Sequence, residues 1–381
     1  MKIAFLTPEF PHPKFKFSGG IGTSVFNLAK GLIKAGNEVV IVLYGQEKDN
    51  YFVEDGIAFY QIKNIKVKGF SLLLTQRKIE KLLYNLVDKS KIDIIEAVDW
   101  EGITANIKTY CPLIVKLHGS DTYFCHLDQR PVKFFNKYRE RSAFIKADKI
   151  VSVSQYTAQV TNELFGLSKD YTVIPNGIDI HDFNCFSVEE DQLVPIVLYY
   201  GTLVRKKGLL ELPLIFNEVH SKNKSTKLIL VGKDSADVVT GNSSIWAMMQ
   251  PLFTKEALQN VSYIGSVSYD KIKDYINRAT VCVFPTFAEA LPVSWIEAMA
   301  MNKAIVASNI GWASEVIEEG ISGYLVHPKN HQEYAFQILK LIENPNLRNQ
   351  FGTAARDIAE KKFSIEVVAE ESIAFYQKCI N

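Results

Sequence analysis

Short apolar, β-rich runs alternate with amphipathic helical patterns along almost the whole chain, and this alternation narrows the possible folds more than any other feature. Lys2 to Thr7 has the pattern of a buried strand and runs into a loop, Pro8 to Gly22, that contains three prolines. A helix follows, with Val25, Leu28, Ala29, Leu32 and Ile33 at helical spacing and Gly36 as its stop. Glu38 to Leu43 is the next strand. Ile57 to Ile62, Ile92 to Glu96, Leu113 to Leu117, Lys149 to Val153 and Thr172 to Ile174 read as further strands. A second series comprises Ile196 to Tyr200, Lys227 to Val231, Val261 to Ile264, Thr280 to Phe284 and Ala304 to Ala307. From His331 onward the pattern is helical, broken at Pro345. Such alternation implies α/β architecture, with parallel sheets covered on both faces. At 381 residues there is enough chain for two cores. The polar, weakly periodic segment from Ile180 to Val194 is the natural linker, which predicts Rossmann-like domains over 1–184 and 185–362.

Composition excludes several classes. Lys and Arg number 43 against 42 Asp and Glu, a balance that argues against a nucleic-acid footprint. The first residues form too short an apolar run for a signal peptide, and no later run approaches a membrane span. Cys111, Cys125, Cys185, Cys282 and Cys379 are scattered without a C-x-x-C and read as reduced cytosolic thiols.

The most informative stretch runs from Phe284 to Ala300. Glu289 falls in a tight strand-to-helix loop, and Glu297 about one turn into the helix that follows, with Pro292 at the expected first helical position. Two carboxylates therefore flank a helix N-terminus, whose N–H groups suit a phosphate. Each carboxylate accepts hydrogen bonds only and suits a pair of hydroxyls. For two isolated glutamates, solvated positions are the ordinary outcome. Here Trp295, Ile296 and Ala298 to Met301 make the helix apolar around most of its circumference, so a charge on it needs a partner or a ligand. Phosphate in the middle with hydroxyl acceptors on both sides describes a receptor for a sugar nucleotide.

Glu289 and Glu297, with seven residues between them and Glu-Ala-Met-Ala closing the run, resemble the Glu-x7-Glu signature of retaining glycosyltransferases of family four, which have the GT-B fold. The resemblance extends through Ala304–Gly311 and Glu318–Val326 and covers nearly the whole chain. It implies two domains facing a central cleft, with the last segment, 363–381, a helix crossing back to the first domain. It also places the donor nucleotide mainly on the second domain, at Gly201, Thr202, Leu291, Pro292, Val293 and Glu297.

Other stretches have both a local reading and a family one. Gly20-Ile-Gly22 begins a dinucleotide fingerprint, but Val25 stands where the third glycine belongs, which excludes nicotinamide binding. Gly19 and Gly20 match the glycine pair of the family's first loop, where backbone approaches phosphate or sugar. His118, in Lys116-Leu-His-Gly-Ser-Asp121, follows a strand at a sheet's carboxyl edge, where open α/β sheets bind ligands. A lone histidine is more often a satisfied core residue. The segment resembles the family's His-Gly-x-Asp loop, whose histidine contacts the donor sugar. Asp99 and Trp100 occupy another such edge and, with Asp121, are candidates for holding the acceptor. Pro175-Asn-Gly-Ile-Asp179 is a turn by its own chemistry and resembles the run that ends the family's first domain. Arg205-Lys-Lys207 is either a solvated basic turn or a diphosphate clamp. It resembles the family's Gly-Arg-Leu-x-x-x-Lys-Gly run, with Lys207 on the lysine; Thr202 replaces the arginine, and Arg205 lies nearby.

The resemblance implies transfer of a sugar from a nucleotide diphosphate sugar to an acceptor hydroxyl, in cell-envelope polysaccharide or glycolipid synthesis. His118, Glu289, Arg205 and Lys207 would carry the chemistry, with no side-chain nucleophile. No Asp-x-Asp flanks the site, so neither metal nor other cofactor is expected. A sugar-nucleotide 2-epimerase of the same fold would need acid/base groups that find no place here, and a non-catalytic sugar-binding protein would usually be exported. Lys63 to Lys91 concentrates eight cations against Glu80 and Asp88, with interleaved apolar residues. It reads either as a basic helix packed on its sheet or as a peripheral contact with an anionic membrane. A cytoplasmic protein touching the inner face of the membrane is the corresponding expectation.

Overall fold

The computed structural model describes residues 1–15, 18–183 and 194–380. The chain divides into two compact units, Met1–Asp179 with Lys362–Asn381, and Ile180–Lys361. The expected boundary after residue 184, most of the proposed linker and Cys185 lie outside the described residues.

In chain order, the first unit contains β1 (Lys2–Thr7), α1 (Gly20–Lys34), β2 (Glu38–Gln46), β3 (Asn50–Glu54), β4 (Ile57–Lys63), α2 (Ser71–Ser90) and β5 (Ile94–Val98). It continues with β6 (Leu113–Leu117), α3 (Asp121–Leu127), α4 (Phe134–Lys146), β7 (Lys149–Ser152), α5 (Gln155–Phe165) and β8 (Thr172–Val173). The second unit begins with β9 (Ile196–Tyr200), α6 (Leu212–Lys222), β10 (Lys227–Val231), α7 (Ile245–Met249), α8 (Lys255–Leu258) and β11 (Val261–Gly265). Then come α9 (Tyr269–Arg278), β12 (Val281–Phe284), α10 (Val293–Ala300), β13 (Ile305–Ala307), β14 (Gly323–Leu325), α11 (His331–Glu343) and α12 (Pro345–Phe363). The last helix, α13 (Ile365–Ile380), returns to the first unit.

The first sheet has the order β3-β4-β2-β1-β5-β6-β7-β8 and the second β11-β10-β9-β12-β13-β14. Among the described residues every strand pairing is parallel except β3 with β4. The two sheets each reverse their order beside their first strand, between β1 and β5 and between β9 and β12. Ligands of open α/β sheets bind at the carboxyl ends beside such reversals. The loops there carry Glu9, Gly19 and Asp99 in the first unit, and Gly201 and Glu289 in the second.

Burial follows the sequence pattern. One face of the first sheet, with Ile3, Phe5, Val98 and Ile114, packs against Val25, Leu28 and Leu32 of α1 and Val368, Ala369 and Tyr376 of α13. The other face, with Ala4, Leu6, Ile95 and Ala97, packs against Ile79, Leu83 and Leu86 of α2. Each such large side chain contributes roughly 1.5–3 kcal/mol. A β-carbon on Gly31 of α1 would lie 2.6 Å from the Ile365 carbonyl oxygen, so glycine there sets how closely α13 approaches. Glu96, buried on β5, accepts a 2.6 Å hydrogen bond from the Tyr376 hydroxyl. The Pro175–Asp179 run is bound to α1: Ser24 donates to Asn176 and Asn27 to the Gly177 carbonyl, while Lys30 and Lys34 pair with Asp179 at 2.7 and 3.0 Å.

Three local expectations change. The strand placed at Ile92–Glu96 begins two residues later, because Lys91 takes the left-handed conformation that ends α2 and the Ile92 N–H closes back on the Leu86 carbonyl. Strand β3 was not read from its alternation, although Asp55-Gly56, with φ of +51° and +76°, is the turn chemistry of a β-hairpin. Pro292 is the N-cap of α10 rather than its first helical residue.

Candidate active site

In the second unit, β9 ends at Tyr200 and its Gly201 N–H continues the ladder to the Val231 carbonyl at 2.9 Å. The chain then turns through Thr202 into a single 3-10 turn, Arg205–Lys207, which Gly208 closes at φ +72°. A β-carbon on Gly208 would stand 1.7 Å from the Pro285 carbonyl oxygen, so only glycine lets the turn reach the loop after β12. The Lys206 carbonyl completes that contact by accepting from Phe287 N–H at 2.7 Å and Ala288 N–H at 3.3 Å. These contacts bring Lys207 Nζ to 3.2 Å from Glu289 Oε1. A β-carbon on Gly201 would lie 3.4 Å from the same Nζ. Burial works against the charge on Lys207, but the Glu289 carboxylate, with Tyr199 and Glu297, outweighs it and holds its pKa above the ordinary lysine value. Lys207 is therefore a firmly charged ammonium on the carboxyl edge of the sheet.

Helix α10 begins beside this pair. Leu291 and Pro292 are buried, Val293 opens the helix, and its N-cap residue makes no side-chain cap hydrogen bond among the described residues. Trp295 to Ala300 are all buried, as the apolar circumference requires. Glu297, 5% exposed, finds a partner the sequence did not reveal: Tyr269 of α9 donates its hydroxyl to Oε1 at 2.6 Å. Burial raises the Glu297 pKa, while Tyr269, Lys207 and Lys273 pull against it.

Arg205 does not join this group. Its Nε and Nη2 donate to Asp237 at 2.8 and 2.6 Å, and Asp237 is fully buried and also accepts from the Thr240 hydroxyl and N–H. The guanidinium satisfies a buried carboxylate instead of presenting itself beside Lys207.

In the first unit, His118 follows β6 at the carboxyl edge and is 8% exposed. Its Nε2 is buried without a hydrogen-bond partner among the described residues, so it is not the satisfied core histidine of the ordinary case. Burial, with the charge of Lys116 adding to it, pushes its pKa down to about 3 and keeps the ring neutral. Asp99 is not presented to an acceptor; its two carboxylate oxygens accept the N–H groups of His118 at 3.0 Å and Gly119 at 3.1 Å. Burial pushes Asp99 up to about 7, against those N–H groups. Asp121, opening α3, is likewise committed: it accepts from Asn136 at 2.9 Å and Arg130 at 3.3 Å. Buried Glu140 of α4 accepts the N–H groups of Asp121 and Thr122, both at 3.0 Å, and thereby caps α3. Trp100 is partly buried against the core. In the first loop, Gly19 is the N-cap of α1, and Glu9 Oε1 accepts the Gly22 N–H at 2.8 Å; the space around Gly20 is open. Tyr269, Asp237, Glu140 and Glu9 escape sequence reading because each acts on a group distant along the chain or on backbone.

Comparison with known proteins bears on the family and the fold. Residues 18–182 match the family Glycosyltransferase Family 4, and residues 182–358 match Glycosyl transferases group 1. An uncharacterized glycosyltransferase of Methanocaldococcus jannaschii is 24% identical over 99% of this chain and 98% of its own length. The capsular polysaccharide biosynthesis glycosyltransferase CapM of Staphylococcus aureus is 30% identical over 48% of this chain and 45% of its own. Among solved structures, Anabaena HepE in complex with UDP-glucose superposes with a TM-score of 0.76 at 20% identity, covering 99% of this chain and 100% of that one. The chain belongs to the family-four-like glycosyltransferases and has their two-unit GT-B fold.

Proposed function

We propose that the protein transfers a hexose-type unit from a nucleotide diphosphate sugar to an acceptor hydroxyl, with retention of anomeric configuration. The Lys207–Glu289 pair carries this reading: a charged ammonium 3.2 Å from a carboxylate, at the sheet reversal and beside an uncapped helix start. Lys207 and the first N–H groups of α10, after Leu291 and Pro292, receive the departing diphosphate, while Gly201 and Thr202 let backbone approach it. Glu297 accepts hydroxyls of the nucleoside, sharing its carboxylate with Tyr269. The family resemblance assigns Glu289 to the reacting sugar and neutral His118 to a sugar hydroxyl. As the bond from the anomeric carbon to the phosphate oxygen breaks, its electron pair goes to the phosphate. The acceptor oxygen bonds the anomeric carbon on the same face, and its proton passes to the departing phosphate. The resemblance of the 289–297 run supports retention, and the UDP-glucose complex of HepE supports a nucleotide-sugar donor.

The diphosphate charge is met by Lys207 and the helix, so the reaction runs without metal, and excess EDTA is expected to leave the initial rate unchanged. The setting is envelope polysaccharide or glycolipid synthesis; CapM's name, which speaks of capsular polysaccharide biosynthesis, supports the polysaccharide part. The acceptor there is a sugar or a lipid-linked hydroxyl, met at the inner face of the membrane through residues 63–91. A panel of nucleotide sugars tests the reaction. One donor is expected to raise the melting temperature and, with acceptor, to give a product whose anomeric proton coupling matches the donor's. Inverted coupling would refute retention, and stabilisation by no donor would refute the site.

A further inference from the structure

The basic segment 63–91 divides into a part that packs and a part that does not. Ile79, Leu83 and Leu86 satisfy the core face of α2. Val67, Phe70, Leu73 and Leu74, at the loop before the helix and its first turn, stay 45, 59, 40 and 37% exposed. Their turn is firmly built. Ser71 Oγ donates to the Val67 carbonyl at 2.7 Å and accepts the Val67 N–H at 2.9 Å, and Gly69 supplies a φ of +81°.

A second apolar tip has no counterpart in the sequence pattern. Phe134 and Phe135, the first two residues of α4, are 76 and 73% exposed, and Tyr138 is 64% exposed. Helix α4 is anchored by its other end, through buried Ala143 and Phe144 and through Glu140 on the start of α3. The exposed rings are therefore not a face waiting for this chain's own core.

The two tips belong to one surface. Both helices lead back into the next strand of the parallel sheet, so both N-termini lie at its carboxyl edge, the edge that carries His118. Ala97, on the α2 side of the sheet, is in register with Val115, which packs with Phe144 of α4, so the two helices share a face. The segment between them ties them together. Gln76 of α2 donates to the Ile103 carbonyl at 2.9 Å, and Gly102 lies where a β-carbon would meet the Arg139 and Glu140 backbone at 2.5–2.6 Å. Around the apolar residues, Lys66, Lys68, Lys133 and Lys137 make no ion pair among the described residues. From Arg130 to Lys146 the one acidic residue is Glu140, which is buried.

We propose that this bipartite surface, the 66–74 turn together with the first turn of α4, docks the protein on an anionic bilayer. The inference rests on the reading of 63–91 as a membrane contact and adds a second anchor and an orientation. Aromatic and aliphatic anchors ringed by unpaired lysines suit the boundary between headgroups and acyl chains. Interfaces between proteins are depleted in lysine, which disfavours a protein partner. Docking here turns the carboxyl edge of the first sheet, with His118, toward the membrane surface, where a lipid-borne acceptor would be found.

Sedimentation of the full chain with vesicles containing about 30% phosphatidylglycerol tests this. The wild type is expected to co-sediment at about 0.05 M salt and much less at about 0.5 M, as screening shortens the attraction. Phe134→Ser/Phe135→Ser and, separately, Phe70→Ser/Leu73→Ser should each lower the partition coefficient about tenfold, with unchanged melting temperature and unchanged transfer to a water-soluble acceptor. Phe134→Trp should shift its emission to the blue on adding vesicles. If the Phe70/Leu73 variant loses binding while the Phe134/Phe135 variant binds like wild type, the second anchor is overturned and the 63–91 contact survives. If the wild type fails to bind at low salt, both fall. If the Phe134/Phe135 variant changes oligomeric state without losing vesicle binding, the face is a protein interface and the proposal is wrong.

Discussion

Lys207 and Arg205 are two residues apart, yet the first pairs with Glu289 and the second with buried Asp237. Lys207→Ala should cost about 3 kcal/mol in turnover, the usual size for one preorganised contact to a leaving group, with little change in melting temperature. Arg205→Ala should do the reverse: it strands a buried carboxylate at Asp237 and destabilises the second unit by about 2 kcal/mol, read by denaturant unfolding. His118 and Asp99 form a second instructive pair, because their titrations act in opposite directions. His118 is held neutral down to about 3, so below its unfolded pKa of about 6.5 the unfolded chain binds the extra proton and stability falls with pH. Asp99, raised to about 7, takes up its proton in the fold first, so stability rises as pH falls from 7 toward 4. His118→Gln removes only the first contribution. Between pH 6.5 and 5 the variant should be spared a loss of about 2 kcal/mol relative to wild type, measured by urea unfolding at each pH. Glu297 drew notice because an apolar helix makes a charge conspicuous, and Glu289, in the loop before that helix, through its spacing from Glu297. The role of Asp99 was not legible, since its partners are N–H groups after another strand and backbone leaves no mark in composition.

Elements built from uninterrupted apolar runs were read almost to the residue; β1, β6, β9 and β10 have the bounds the sequence suggested. Buried parallel strands declare themselves this way because both faces must be apolar. The edge strand β3 did not, since it is only five residues long and Asn50, Tyr51 and Val53 are exposed, so no buried apolar run marks it. The exposed rings of α4 were overlooked for the converse reason: periodicity tells which side of a helix is apolar, not whether anything covers it. At this scale the junction between the Arg205–Lys207 turn and the β12 loop is the element on which the site depends. Gly208→Ala would force a β-carbon into the Pro285 carbonyl at a left-handed backbone position. Loss of at least about 2 kcal/mol of stability is expected. Turnover should fall with it, since Lys207 is positioned by the same contact; a variant with wild-type melting and rate would contradict the packing described.

The molecule as a whole is set by the return of α13 to the first sheet. Its Ile365, Val368, Ala369 and Tyr376 are buried, and Tyr376 supplies the partner of buried Glu96. Tyr376→Phe should therefore destabilise the first unit by about 2 kcal/mol while leaving donor affinity at Lys207 unaltered, a separation that melting and donor titration would resolve. The deeper consequence concerns the order in which a ribosome delivers the chain. Residues 180–361 have all they need for their own sheet as soon as they emerge, whereas the first unit, begun earlier, lacks a wall until residues 365–380 follow. The half of the protein that is synthesised first is thus the half that matures last. Until then it exposes a slot lined by Val98, Ile114 and Glu96 that a nascent-chain chaperone would be expected to cover.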